Sequence, residues 1–161
     1  MRRSGVVVVF VLAATLAFAP AASSQPAETK PQNFKATLVG TVVGGAGTCC
    51  IVSRFFEGSA VVPMLGRVTF QGNWSEGFVQ FSDPVTRHQG LSLRLVSPSG
   101  DALVLAGVTQ WFAGDPMPAL TWNVSEATGR FAAYAGSGTY TIASVDGDVV
   151  IALSGTLLKA G

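Results

Sequence analysis

Charged side chains are scarce in this chain. Its 161 residues include 10 lysines and arginines, 9 aspartates and glutamates and a single histidine. No run or stripe of basic residues is present. Because nucleic-acid binding rests on neutralising phosphates with lysine and arginine, the composition excludes a nucleic-acid partner. With so little charge, solubility must depend on uncharged polar side chains and exposed backbone.

Cysteine is also scarce, and the two that occur, Cys49 and Cys50, are neighbours. An exported chain normally pairs its cysteines, but adjacent Cα atoms lie only about 3.8 Å apart, below the usual disulfide range. Three states are open: two unpaired thiols with one buried, a strained vicinal disulfide, or a bridge to another chain. With no further cysteine and no histidine nearby, we expect no metal site.

The N-terminus has the features of an export signal. Arg2 and Arg3 precede an apolar run over residues 5–18, and small residues follow. This run is shorter than the roughly 20 residues that span a bilayer, which disfavours the alternative of an uncleaved anchor. No cysteine lies directly after the apolar run, where a lipid would be attached, so a lipid anchor is not expected. The sequence predicts a cleaved signal peptide over residues 1–24, a secreted or periplasmic product, and no membrane association after cleavage.

The remaining chain divides into a short spacer and one domain. Residues 22–33 are rich in serine, proline and glutamine, which predicts a flexible spacer over residues 25–33. Residues 34–161 are of a length that suits a single domain with its own core.

Apolar and polar residues alternate with a period of two along most of this domain, which is typical of strands with one buried face. No window shows helical spacing. The alternating apolar positions are, for example, Phe34, Ala36, Leu38, Val68, Phe70, Trp74, Leu91, Leu93, Leu95, Leu120, Trp122, Val149, Ile151 and Leu153. We therefore predict an all-β, mostly antiparallel fold.

Turn signals separate about eight such strands. Asp146-Gly147 predicts a two-residue hairpin turn, and residues 98–100 predict a second hairpin. Residues 44–47 and 115–118 predict longer loops. The spacing is typical of a β-sandwich or a β-barrel, and both remain open at this point. Several glycines lie within the strands and favour bends that let a sheet close on itself: Gly72, Gly107, Gly136, Gly138 and Gly155.

The segment from Ala127 to Thr141 resembles a recurrent Gly-Arg-Phe…Gly-Ser-Gly-Thr-aromatic-Thr pattern. That pattern belongs to secreted bacterial proteins of the allene oxide cyclase and dirigent barrel group. The resemblance implies a calycin-like, eight-stranded antiparallel barrel. Within the motif we expect Gly129 to adopt positive φ at a turn and Phe131 to plug the barrel end. Arg130 is expected to point outward and to matter little.

The resemblance also implies candidate functions, but fold alone does not fix function. No set of residues matches a cyclase active site position by position, so catalytic residues stay unknown. Our leading hypothesis is non-catalytic binding of a small apolar ligand or of an envelope partner, without a cofactor. The alternatives are a cofactor-free isomerase or cyclase and a dirigent-like protein that orients radicals. The oligomeric state stays open.

Large aromatic residues are the candidate ligand-binding positions. An eight-stranded barrel is just wide enough to hold one small ligand, so Phe70, Trp74, Trp111 and Trp122 are predicted to line a cavity. The alternative is that these side chains fill the interior as core. A buried carboxylate inside the barrel would favour an enzyme, whereas an apolar or filled interior would favour binding.

Other polar residues are weaker candidates. His88 lies in a polar segment with Asp83, but no nucleophile is near in sequence, which favours a solvated loop. Asp146 and Asp148 flank a turn glycine and are too few for a calcium site. Nothing in the sequence pairs Glu76 with another charge.

Overall fold

Period-two alternation produces strands almost everywhere in the computed structural model, which describes residues 30–79 and 85–159. The strands are β1 (Gln32–Gly47), β2 (Ile51–Val62), β3 (Gly66–Val79), β4 (Thr86–Val96), β5 (Ala102–Phe112), β6 (Thr121–Ala127), β7 (Tyr134–Val145) and β8 (Asp148–Lys159). The one helical element in these ranges is a 3₁₀ turn at Gly129–Phe131. No helix of the described residues is long and apolar enough to cross a membrane.

Each strand pairs antiparallel with the next, and β8 returns to pair with β1. The β8–β1 ladder runs from the Gln32–Leu157 pair to the Thr41–Asp148 pair, so it closes the sheet along most of its length. The fold is a closed eight-stranded barrel, which confirms the all-β barrel prediction and excludes the β-sandwich. The predicted hairpin at Asp146-Gly147 is also confirmed. Both residues have positive φ, 52° and 89°, as a type I′ turn requires.

The two ends of the barrel carry different connections. The end that we call the mouth carries the β1–β2 turn at Thr48–Cys50, the β7–β8 hairpin and the β5–β6 connection over residues 113–120. The opposite end, which we call the closed end, carries the β2–β3 turn, the β4–β5 hairpin and the 3₁₀ turn between β6 and β7.

The inward faces of the strands fill the middle of the barrel with side chains. Phe34 is fully buried and packs edge-on against Trp122, with ring centroids 5.6 Å apart. Inward glycines leave room for other rings: a Cβ at Gly58 would lie 2.5 Å from the Phe70 ring. The largest fully buried side chains include Leu38, Phe56, Leu93, Leu95, Leu103, Leu105, Ile151 and Leu157. The middle of the barrel is therefore a packed core.

The 3₁₀ turn plugs the closed end, as the sequence predicts for Gly129 and Phe131. Phe131 is 2% exposed, and Gly129 has φ +56°. A Cβ at Gly129 would also overlap the Asp101 carboxylate. This glycine is required both by its backbone conformation and by the close approach of the β4–β5 hairpin.

Arg130 has a larger role than the sequence predicts. Its Nη2 donates a hydrogen bond of 2.7 Å to the Leu65 carbonyl, and its Nε lies 3.7 Å from Asp101 Oδ2. Half of the side chain is exposed, so it is not buried, but it joins all three connections of the closed end. The outward position expected for Arg130 is confirmed, but the expectation that it matters little took no account of the loops that converge on it. Its contribution to stability stays a prediction.

Two predicted boundaries also change. β1 begins at Gln32, so Gln32 and Asn33 belong to the barrel and not to the spacer. Residues 44–47 form the end of β1 and pair with β2, so the predicted loop is wrong there. The two strands continue as a ribbon past a bulge near Gly44, and the turn lies at Thr48–Cys50. The predicted signal peptide falls in residues 1–29, outside the described residues.

Candidate functional site

The inward face of β3 leads from the core to the mouth. Alternation places Val68, Phe70 and Trp74 on this face, and Glu76 continues it toward the mouth. Register sets Glu76 opposite Gln89 on β4. The lining of the barrel interior therefore changes from apolar to partly polar over the last two inward positions of β3 and β4 before the mouth.

A half-open pocket of about 590 Å³ lies above this level. Trp74, Glu76 and Gln89 form one wall, and residues 139–142 of β7 form another. Residues 117–120 of the β5–β6 connection form a third wall, held to β7 by the hydrogen bond of 2.9 Å from the Tyr140 amide to the Leu120 carbonyl. We call this cavity the mouth pocket. It is bounded by strand residues on two sides, and the packed core closes its floor.

Two polar side chains that line the mouth pocket lack hydrogen-bond partners. Trp74 is 7% exposed and Tyr140 is 3% exposed. Trp74 Nε1 and Tyr140 Oη are out of reach of bulk water and have no hydrogen-bond partner within residues 30–79 and 85–159. Leaving such a group unsatisfied costs about 1–3 kcal/mol. Burial also raises the pKa of Tyr140 to about 12, so the hydroxyl stays protonated at neutral pH.

An ion pair lies beside these two groups. Arg54 Nη1 is 2.6 Å from Glu76 Oε1, and the Arg54 guanidinium lies 4.9 Å from the centre of the Trp74 ring. The pairing of β2 with β3 sets Arg54 opposite Trp74, one inward position below Glu76. The two charged side chains are 34% and 42% exposed, so water screens their attraction and the pair adds little stability. It does neutralise the carboxylate that lines the pocket.

The four predicted cavity-lining aromatics do not share one site. Trp74 lines the mouth pocket. Phe70 is buried in the core, and so is Trp122, whose Nε1 donates a hydrogen bond of 3.0 Å to the Thr139 carbonyl. Trp111 is half-buried at the rim, in a separate recess of about 610 Å³. Phe70 and Trp122 therefore fill the barrel, as the alternative interpretation of the aromatics predicts.

Sequence reasoning missed Tyr140, Gln89 and the Arg54–Glu76 pair. Period two offered a signal for Glu76, because it lies two residues beyond Trp74 on the same strand. Tyr140 follows Gly136 and Gly138 at the same spacing, which also places it inward. The pairing of Arg54 with Glu76 depends on the register between two strands, which no local pattern gives.

No family model, curated protein or solved structure matches the chain. The resemblance to the allene oxide cyclase and dirigent group therefore rests on the motif residues alone. Those residues lie at the closed end and along β7, and their glycines serve packing. At Gly138, for example, a Cβ would lie 2.7 Å from the Trp122 ring.

Cys49 and Cys50 lie in the turn at the mouth end of the β1–β2 ribbon as free thiols. Cys49 is exposed and Cys50 is part-buried, so neither thiol is buried as the first of the three states requires. The vicinal disulfide and the bridge to another chain stay predictions. A hydrogen bond with Cys49 raises the pKa of the Cys50 thiol. In the described residues no cluster of three or more metal-binding side chains includes them.

His88 lies in β4 and not in a loop, which corrects the sequence interpretation. Its Nε2 is 3.0 Å from Ser75 Oγ on the neighbouring strand. Ser75 and His88 alternate with the inward Trp74 and Gln89, so the pair belongs to the outer surface of the barrel. It lines none of the cavities described here, and Asp83, which shares its polar segment, lies outside the described residues. A hydroxyl and an imidazole without a substrate recess do not make an active site.

A groove of about 620 Å³ runs over the outer surface of β2, β3 and β4. Its lining includes the outward polar side chains Glu57, Ser59, Thr69, Gln71 and Arg94. No buried polar group without a partner lies among them. The mouth pocket is the better candidate site because it combines enclosure, apolar walls and two unsatisfied polar groups.

Proposed function

We propose that this chain is an exported barrel that binds a small, mostly apolar ligand in the mouth pocket without catalysing a reaction. The observation that carries the proposal is the pocket itself, about 590 Å³ above a filled core. This volume falls within the roughly 300–1,000 Å³ of typical small-molecule sites. Its walls include Trp74, Met117, Leu120 and Ile142, so most of the contact offered to a ligand is apolar.

The state of Glu76 favours binding over catalysis. An isomerase or cyclase without a cofactor would need a general acid or base in the cavity, with a pKa tuned by burial. Glu76 is the carboxylate that lines the mouth pocket, but its side chain is 42% exposed and paired with Arg54. The criterion of a buried carboxylate is therefore not met at this position. The isomerase or cyclase and dirigent-like alternatives keep only the support of the sequence motif.

Filling the pocket tests the proposal. Ala119 lines the mouth pocket, whereas Ala132 is exposed at the closed end. We expect the neutral dye Nile red to bind the wild type with increased fluorescence and blue-shifted emission. Ala119→Trp should abolish this response because the indole occupies the pocket. The matched control Ala132→Trp should bind like the wild type. Equal binding by both variants, or none by the wild type, would contradict the proposed site.

Export is tested separately. The proposal that the protein acts outside the cytoplasm is supported by the basic start and apolar run of the N-terminal segment. N-terminal sequencing of secreted or periplasmic material should begin between Ala22 and Gln25. A product that keeps the apolar residues 6–16 would contradict cleavage.

A further inference from the structure

Two residues that line the mouth pocket, Trp74 and Tyr140, carry hydrogen-bond donors that have no acceptor among the described residues. The indole N–H of Trp74 can only donate. The Tyr140 hydroxyl has a proton to donate at neutral pH, since its ordinary pKa is 10 and burial raises that pKa to about 12. Bulk water does not reach either atom. Buried polar groups are nearly always satisfied in native proteins, so these two need an explanation.

A second tryptophan, in the core where no ligand is expected, has a hydrogen-bond acceptor for its indole N–H. Trp122 lies in the core and is 2% exposed, and its Nε1 donates to the Thr139 carbonyl at 3.0 Å. The described part of the barrel thus supplies an acceptor for the core tryptophan but none for the tryptophan at the mouth. The missing acceptor coincides with the mouth pocket, which both Trp74 and Tyr140 line.

The charges around the mouth pocket indicate which kind of acceptor fits. The Glu76 carboxylate lines the pocket, and the nearby Arg54 guanidinium is paired with it. No lysine or arginine is among the residues that line the pocket. An anionic ligand would meet a carboxylate and no unpaired cation, so a neutral acceptor is favoured over a carboxylate.

We propose that the ligand is a neutral, mostly apolar molecule whose carbonyl or ether oxygen accepts hydrogen bonds from Trp74 Nε1 and Tyr140 Oη. This inference rests on the proposed function, since it names the ligand chemistry of the same pocket. Neither donor atom has surface that water can touch in this structure, so side chains of the pocket wall must move to admit the ligand oxygen. Met117 of that wall is unbranched, flexible and 62% exposed.

Three probes of similar size separate the parts of this inference. Acetylnaphthalene carries a ketone, ethylnaphthalene has a hydrocarbon chain in its place, and naphthoate carries a carboxylate. Their dissociation constants for the intact mature chain can be measured by equilibrium dialysis, which does not depend on tryptophan emission. We expect the ketone to bind about fivefold or more tighter than the hydrocarbon, since each new hydrogen bond contributes modestly, and naphthoate to bind weakest.

Two variants that remove one donor each test the assignment of the atoms. Tyr140→Phe and Trp74→Phe keep an aromatic ring, and each should reduce the ketone's advantage over the hydrocarbon severalfold. The ratio of ketone to hydrocarbon affinity within each variant is the quantity compared, because it cancels changes in the shape of the pocket. Tyr134→Phe is the matched control, because Tyr134 packs against Phe131 at the closed end and should leave the preference intact. Thermal melts confirm that each variant is folded.

The outcomes distinguish this inference from the function on which it rests. Binding of the hydrocarbon and the ketone with equal affinity would overturn the inference and leave the proposed apolar site in place. An unchanged ketone preference in both variants would also overturn it, since the preference would then not depend on either donor. Preferential binding of naphthoate would contradict the neutral-ligand assignment. Failure of all three probes to bind would contradict the proposed function itself.

Discussion

The Tyr140 hydroxyl makes the free energy of unfolding of the barrel depend on pH in the alkaline range. Burial raises its pKa to about 12 in the folded protein, against an ordinary value of 10. Above about pH 10 the unfolded chain therefore releases this proton while the folded chain keeps it. The stability that this residue contributes is full below about pH 10 and is lost as the pH rises through about 12.

We therefore predict that Tyr140→Phe loses less stability than the wild type between about pH 10 and about pH 12. Urea unfolding of both proteins across this range measures the difference. All other ionisable groups are common to both proteins, so their contributions cancel in the comparison. Tyr134→Phe provides the comparison, and its curve should follow the wild type. Parallel curves for all three proteins would show that the Tyr140 hydroxyl is not held protonated by burial.

At the closed end we predict that replacing the buried Phe131 is most costly and that replacing the exposed Gly129 or Arg130 also lowers the free energy of unfolding. Phe131→Ala should cost about 3–5 kcal/mol because it empties a buried aromatic site. Gly129→Val should cost at least about 1 kcal/mol through strain at positive φ. Arg130→Ala should cost about 1 kcal/mol, since it removes the hydrogen bond to the Leu65 carbonyl. Denaturant unfolding measures all three.

Arg67→Ala is the matched control for Arg130. Arg67 is exposed at the start of β3, and its removal should change the free energy of unfolding by less than about 0.5 kcal/mol. If Arg130→Ala is as silent as Arg67→Ala, the contacts of Arg130 do not stabilise the closed end. If Arg130→Ala instead lowers ligand binding without lowering the melting temperature, the closed end becomes a binding site.

The role of a residue was predictable where it depends on the conformation of a short segment. It was not predictable where it depends on which strands or loops lie side by side. The turn conformation of Gly129 and the burial of Phe131 follow from a short motif, and both are confirmed. The contact of Arg130 with Leu65 spans 65 positions, and that of Arg54 with Glu76 needs the pairing of β2 with β3. Spacing along one strand does not contain that information.

Among the structural elements, the strands use inward glycines as space for aromatic rings. A Cβ at Gly58 would lie 2.5 Å from the Phe70 ring, and one at Gly72 would lie 2.5 Å from the Phe56 ring. We predict that Gly58→Ala or Gly72→Ala destabilises the barrel by about 1–3 kcal/mol, because a rigid ring must move within a packed core. Thermal or denaturant unfolding of the single variants measures this cost.

A paired substitution and a control separate overpacking from a general effect of alanine. Gly58→Ala combined with Phe70→Leu should lose less than the sum of the two single changes, since the smaller side chain vacates the space. A methyl group at Gly114 would meet no atom within 4 Å, and this glycine does not have positive φ, so Gly114→Ala should be nearly neutral. Additive losses in the double variant would exclude the glycine–ring contact as the cause.

The strands themselves were largely predictable because their inward and outward faces differ in polarity. The alternating positions of β1, β3, β4 and β8 match their buried residues. The glycines at 44–47 misled the loop assignment, because glycine marks turns in most sequences yet here extends β1 beyond the core. Where a ribbon leaves the barrel, no buried face remains to impose alternation.

Across the whole barrel, hydrogen bonding is uneven. The ladder between β2 and β3 pairs every residue from Ile51 to Val62. The β5–β6 ladder covers Leu103–Ala106 with a register shift, and the β6–β7 ladder covers only Thr121–Asn123. β6 is therefore the least supported strand of the closed sheet, and it lies directly after the connection that lines the mouth pocket.

We predict that hydrogen exchange is faster in β6 than in any neighbouring strand, because its opening breaks the fewest backbone hydrogen bonds. Exchange followed by mass spectrometry or by nuclear magnetic resonance measures this. The β2–β3 pair serves as the internal reference and should be among the slowest regions. Protection of β6 equal to that of β3 would show that the barrel opens as one unit and that β6 is not a weak point.

The pairing of β1 with β8 has a practical consequence for attaching this molecule to something else. The strand that begins at Gln32 lies beside the strand that ends at Lys159, and both of these residues lie at the closed end. A tag, a surface or a second domain joined at either position would lie at the closed end. The length of the strands would separate it from the mouth pocket. An immobilised barrel would therefore present its pocket to the solution, whichever of the two positions were used for the attachment.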